Sequence, residues 1–206
     1  MRFTYMLRTI VAITLGIILI GSVNASEKKR GTPFEIKEFR LGMSEEAVIS
    51  RFDQSLRCEQ SADIPSNKTC KIDFLRGDSE STMRTLANEP VMNYFFYFEN
   101  EKLGRMVVWF NSFNTDFIAS ADYENIRDAL TVKFGKPKIL KKQFIHRKAE
   151  EETWEIATWR RQTQSIHLDQ NMLAQGIIEL KLDEDAYSKK EKEYFDRQKL
   201  KSAEDI

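Results

Sequence analysis

The sequence predicts an α+β fold, with helices packed on one face of an antiparallel sheet, and three observations carry that prediction. Two helices, one marked by a capping serine with an acidic first turn and one by helical apolar spacing, are each followed by strands, an order of helix then strands that occurs twice. The strands are joined by connections of hairpin length, too short for the crossovers that parallel strands need. In Gly176–Leu182, Ile178, Leu180 and Leu182 alternate with Glu179 and Lys181, the pattern of a sheet with one wet side.

The first element is a leader. Arg2 and Arg8 precede an apolar run from Thr9 to Ile20, and Val23-Asn24-Ala25 supplies small residues for cleavage after Ala25. Crossing a bilayer takes about 20 apolar residues, and this run falters at Gly21-Ser22. Residues 1–25 therefore read as a signal peptide of bacterial type, and 26–33, opening on Ser26-Glu27-Lys28-Lys29-Arg30, as a flexible linker. An uncleaved leader tethering the domain to the inner membrane is the alternative. The first cysteine is Cys58, too far from the apolar run for lipidation.

Residues 34–183 read as the folded domain, with halves 34–112 and 113–183. Phe34-Glu35-Ile36-Lys37-Glu38-Phe39 alternates as a half-buried strand would. A short helix follows from Ser44 to near Phe52, with Ser44 as N-cap and Glu45 and Glu46 against the positive end of the helix dipole. Cys58 and Cys70 flank a polar stretch and are the only cysteines; in an oxidising compartment they close a small loop. Lys71-Ile72-Asp73-Phe74-Leu75 follows the cysteine loop, and the polar chain from there to about Pro90 carries no clear pattern. Met92–Phe98, with five aromatic residues in succession, and Leu103–Phe110 form a hairpin through Glu99-Asn100-Glu101-Lys102.

In the second half, Tyr123, Ile126, Leu130 and Phe134 predict a helix over Ala119–Phe134, stopped by Gly135-Lys136-Pro137. Three strands follow, Thr153–Arg160, Ser165–Asp169 and Gly176–Leu182. Residues 184–206 change to a charged helix, read either as a fraying tail or as a partner-binding helix.

Leu41-Gly42-Met43-Ser44-Glu45-Glu46-Ala47-Val48, with Asn100-Glu101-Lys102-Leu103 and Gly135-Lys136-Pro137, resembles small exported domains of the BamE (SmpA/OmlA)-like and beta-lactamase inhibitor protein-like type. The resemblance implies a short helix on an antiparallel sheet and a fold used for protein binding, without catalytic residues.

Chemistry is sparse. Lys and Arg number 32, as do Asp and Glu, so the basic excess that phosphate binding requires is missing and nucleic acid is a poor partner. The two histidines are His146, among basic neighbours, and His167, placed by alternation on the wetter face with Ser165 and Asp169. Gly77-Asp78-Ser79 invites comparison with esterases, but the residues three before each histidine are Gln143 and Gln164 instead of aspartate. Arg76-Gly77-Asp78 is too short to carry information, and the acidic runs at Glu45-Glu46, Glu150-Glu151-Glu152 and Asp183-Glu184-Asp185 read as helix starts or solvated boundaries. No phosphate-binding, dinucleotide-binding or metal-binding motif occurs, so no cofactor and no metal are expected.

The functional expectation is an exported, periplasmic or secreted protein that binds an envelope protein without catalysis. Phe95, Tyr97 and Trp159 are the candidate partner-binding residues, because Tyr94–Phe98 carries large rings toward both faces. The alternative is a secreted hydrolase with its site at Ser79, Asp78 and one histidine.

Overall fold

The computed structural model describes residues 32–52, 56–60, 67–74, 82–112, 120–145, 151–171 and 176–204. The leader, Asp78, Ser79 and His146 lie outside them. The chain divides into Met1–Thr32, of which only Thr32 is described, and a second compact unit, Pro33–Ile206.

The second unit is an α+β structure built on one antiparallel sheet. A short helix α1 (Glu45–Ile49) is followed by β1 (Arg57–Gln60), β2 (Asn67–Asp73), a 3₁₀ turn at Thr82–Arg84, β3 (Thr85–Leu86), β4 (Glu89–Glu99) and β5 (Lys102–Asn111). Helix α2 (Tyr123–Phe134) then leads into β6 (Lys138–Ile145), β7 (Glu151–Arg161), β8 (Gln164–Asn171) and β9 (Ile177–Glu184), and α3 (Asp185–Glu204) ends the described chain. The strand order is β1-β2-β4-β5-β9-β8-β7-β6, with β3 paired to β4 beside this path. The last strand of each half thus meets the other at the centre of the sheet.

Phe34–Phe39 is not a strand. Ile36 and Phe39 form an isolated bridge across a tight turn whose corners, Lys37 and Glu38, have positive φ. The turn drives Phe34, Ile36 and Phe39 together into the core, where all three are buried. The Leu-Gly-Met-Ser phrase gains a physical role here. Gly42 has φ +83°, a conformation that favours glycine, and donates its N–H to the Leu103 carbonyl at 2.7 Å. Leu103 donates back to the Met43 carbonyl at 2.8 Å, stitching this segment to the β4–β5 hairpin. Ser44 then caps α1, its Oγ accepting from the Ala47 N–H at 3.3 Å.

The hairpin turns at Asn100 and Glu101, both with positive φ, the geometry that two-residue hairpins prefer. Cys58 and Cys70 face each other in register across β1 and β2 and are joined by a disulfide. Helix α2 begins at Tyr123, the first residue of its apolar spacing, and not as early as the predicted Ala119–Phe134 span: Asp122 is the N-cap, its carboxylate accepting from Glu124 and Asn125. Its C-terminal stop is Gly135 at φ +90°.

One strand of the second half, β6, was not predicted. Lys138–Gln143 are all exposed, so this edge strand has no buried face and hence no period-two apolar pattern. β1 escaped for a related reason, being a four-residue edge strand with little burial.

The core lies on one side of the sheet. Tyr94, Phe96 and Phe98 of β4, Met106 and Val108 of β5, Leu180 and Leu182 of β9, and Ile166 and Leu168 of β8 are buried there with Val48 of α1 and Ile126 and Leu130 of α2. Tyr94 donates its hydroxyl to the Met83 carbonyl at 3.0 Å, so the ring is buried without orphaning its oxygen. Trp159 belongs to this side too, at 3% exposure, with Nε1 donating to the Gly135 carbonyl at 2.7 Å. That corrects its placement among the binding residues: on β7, alternation sends Ala157 and Trp159 inward and Ile156, Thr158 and Arg160 to the other face.

Candidate functional site

The opposite face carries the side chains that alternation turns away from the core. In the observed register one row runs Lys71, Phe95, Val107, Lys181, His167, Thr158, and the row beside it runs Thr69, Tyr97, Arg105, Asp183, Ser165, Arg160. Phe95 and Tyr97 therefore share this face, and Trp159 does not.

Tyr97 lies under the start of α3. A bulge at the β4–β5 pairing leaves Gly104 between Leu103, which opposes Phe98, and Arg105, which opposes Tyr97. Tyr187 of α3 packs against Gly104 so closely that a Cβ there would lie 2.6 Å from the ring. Arg105 sits between the rings of Tyr187, 4.6 Å away, and Tyr97, 5.8 Å away. Its Nε and Nη2 donate to the two Asp183 oxygens at 3.1 and 3.2 Å, and Nη1 and Nη2 donate to Glu191 at 2.6 and 2.7 Å. Ser188 adds a hydrogen bond to Asp183, and Lys190 pairs with Glu99. Burial by itself lowers the Arg105 pKa, but hydrogen bonds to Glu191 and Asp183, and their charges, reverse the sign and leave it raised. The guanidinium is thus a permanent cation that holds β5, β9 and α3 together.

These residues escaped the sequence reading. Asp183 sits in an acidic run with the composition of a solvated boundary, and Arg105 sits in a strand whose pattern is dominated by apolar residues. The usable signal was Arg105 itself, a lone charge between Leu103 and the Met106–Phe110 run.

Away from α3 the face is half-buried and mixed. The Phe95 and Trp109 rings meet at 4.4 Å between centroids, Lys71 lies 5.3 Å over Phe95, and Trp109 Nε1 donates to Glu179 at 3.0 Å. Further across, His167 shares hydrogen bonds with Ser165 at 2.9 Å and Thr158 at 3.2 Å. A serine, a histidine and a second hydroxyl in sequence resemble a nucleophile, base and orienter, but the setting opposes catalysis. Ser165 is buried at 5% exposure in β8, an interior strand paired on both sides. Its local N–H groups belong to ladders and do not converge on an oxyanion.

Burial first, then the Lys181 charge, lowers the His167 pKa. Folding therefore favours the neutral ring, while the unfolded chain takes up its proton at about 6.5. This stabilisation is present above that value and is lost as pH falls through the lower folded pKa. Urea denaturation from pH 7.5 to 5 is expected to show falling stability, and a His167→Gln variant a shallower fall; equal slopes would contradict the assignment.

Two other groups of polar side chains come together in the structure. Glu45, Cys58 and Cys70 bring possible metal ligands within 4.8 Å, but both sulfurs are committed to the disulfide and Glu45 pairs with Lys68 at 2.6 Å. On the core side, a polar cleft of about 550 Å³ opens at the start of α2, lined by Tyr123, Arg127, Lys141, Glu155 and Gln170 among others. Glu155 accepts from Arg127 at 3.0 Å and from the Tyr123 hydroxyl at 3.5 Å, and burial, then the Glu155 charge, raises the Tyr123 pKa. These groups satisfy one another and converge on no reacting centre.

The chain matches no family model, no curated protein and no solved structure. Among the described residues no helix is long and apolar enough to cross a membrane, and the disulfide is compatible with an oxidising compartment.

Proposed function

We propose that this is an exported, non-catalytic binding protein that works in the periplasm and engages an envelope protein through the open face of its sheet. The observation that carries this reading is the half-buried Phe95–Trp109 pair, set among Lys71, Lys181 and Glu179 and next to the segment where α3 is locked down. Aromatic anchors such as Trp are enriched in protein-binding hot spots, and charged residues belong to the polar rim around them. Six strands spaced by about 4.8 Å give this face a width of roughly 24 Å, enough for a folded partner to dock.

The element order supports reading the domain as two helix-then-strands units sharing one sheet. The leader and the Cys58–Cys70 disulfide support the periplasmic location. The hydrolase alternative needs Ser79, which lies outside the described residues, whereas His167 is engaged with Ser165 and Thr158.

Affinity capture from envelope extracts tests the reading. Phe95→Ala and Trp109→Ala are each expected to weaken retention of the partner by about 2 kcal/mol, roughly thirtyfold. Val132→Ala, at an 89% exposed position on α2, is expected to leave it unchanged. Unaltered capture by both face variants, with native circular dichroism, would refute the proposal.

A further inference from the structure

β6 ends the sheet on one side, and among the described residues nothing pairs with its outer edge. Its register with β7 runs from Lys138 to Ile145 without a shift, so no bulge twists the edge away. Lys138–Gln143 are all exposed, with Ile139 at 39% and Leu140 at 52%, which leaves both the backbone edge and two apolar side chains open. The strand holds Lys138, Lys141 and Lys142 and no acidic residue.

That charge pattern selects the occupant. A second copy pairing edge to edge would bring the lysines of both strands close together with no carboxylate on either strand to offset them, and this crowding of like charge opposes self-pairing. An incoming strand with carboxylates opposite the lysines gains the complementary pairs, and its backbone completes the ladder. Building on the reading of this protein as a binding module, we propose that β6 is the docking edge for an extended acidic segment of a partner polypeptide, which adds to the sheet as a further antiparallel strand. With carboxylates opposite Lys138, Lys141 and Lys142 and apolar residues opposite Ile139 and Leu140, the complementary order, read antiparallel to β6, is Thr-Glu-Glu-Val-Val-Glu.

The probe is that hexapeptide, capped and fluorescently labelled, titrated against the mature protein at low salt. It is expected to bind, to slow amide exchange along β6 and to dissociate as salt rises. Its lysine counterpart and a version with N-methylated interior amides are expected to bind at least about tenfold more weakly, as is the original peptide to a Lys138→Glu/Lys142→Glu protein. Both substitutions are at exposed positions, and circular dichroism checks the fold. Absent binding, equal binding of the lysine or N-methylated peptide, or unchanged affinity in the double variant overturns the proposal. If the hexapeptide fails while capture still depends on Phe95 and Trp109, the edge is refuted and the open-face reading stands. If capture is indifferent to Phe95 and Trp109 while the hexapeptide binds as described, the reverse holds.

Discussion

Replacing Arg105 by alanine is expected to destabilise the protein by about 3–5 kcal/mol and to release α3 from the sheet, because it leaves a buried carboxylate without its partner. The Asp183 side chain is 3% exposed, and both its oxygens accept from the Arg105 guanidinium. Lys181 is a second cation near it, 3.9 Å away and too distant for a hydrogen bond. Glu191 is more exposed, at 28%, and loses less by returning to water. The loss is asymmetric: an apolar pair in place of both Arg105 and Asp183, such as Arg105→Met with Asp183→Leu, is expected to recover most of the stability, since no charge is then stranded. Urea denaturation measures the first effect, and amide exchange over Asp185–Glu204 measures the second. A cost below about 1 kcal/mol with α3 protection unchanged would show that Arg105 is not the lock.

Phe96→Ala is expected to cost a similar amount, about 3–5 kcal/mol, for a different reason. Phe96 is fully buried and its ring lies 4.9 Å from Phe39, 5.6 Å from Phe52 and 6.0 Å from Tyr94. In register it also sits between Cys70 of β2 and Met106 of β5. Its removal opens a cavity beneath the 34–39 turn, at the point where turn, helix and hairpin meet. Neighbouring rings are pinned by the disulfide-linked strand and by the Tyr94 hydrogen bond, so collapse into the space is limited. Thermal or denaturant unfolding is the measurement, with Phe95→Ala as the control. Phe95 is only half-buried on the opposite face, and its truncation is expected to cost clearly less. Equal losses at the two positions would contradict the assignment of the two faces.

Much of the fold was legible because burial writes itself into the sequence. The β4–β5 hairpin announced itself through five successive aromatics, a polar turn and an apolar return strand. Helix α2 showed an apolar face ending at a glycine, and the two cysteines met as their spacing suggested. Where the reading failed, the physical signal was missing. β6 has no buried face, so no alternation marks it. The turn at Lys37 and Glu38 places two non-glycine residues at positive φ; Phe34 and Ile36 alternate with charges as a strand would, but the consecutive charges Lys37-Glu38 put Phe39 out of the two-residue period, which is where the chain turns.

The candidate site was half legible for the same reason. Alternation placed Phe95 and Tyr97 on a common face. It could not choose a face for Trp159, because Trp154 lies an odd number of residues away on the same strand and points to the other side. Arg105, Asp183 and Glu191 are joined only by the fold: 78 and 86 residues separate the arginine from its two partners. No local pattern records such a contact.

The open face as a protein-binding surface is tested most directly by photo-crosslinking in living cells, with p-benzoylphenylalanine substituted for Phe95 and, as a control, for Val132. A discrete adduct with an envelope protein from position 95, and none from position 132, is the predicted result. Equal adducts from both positions, or none from position 95 in a folded, exported protein, would contradict it.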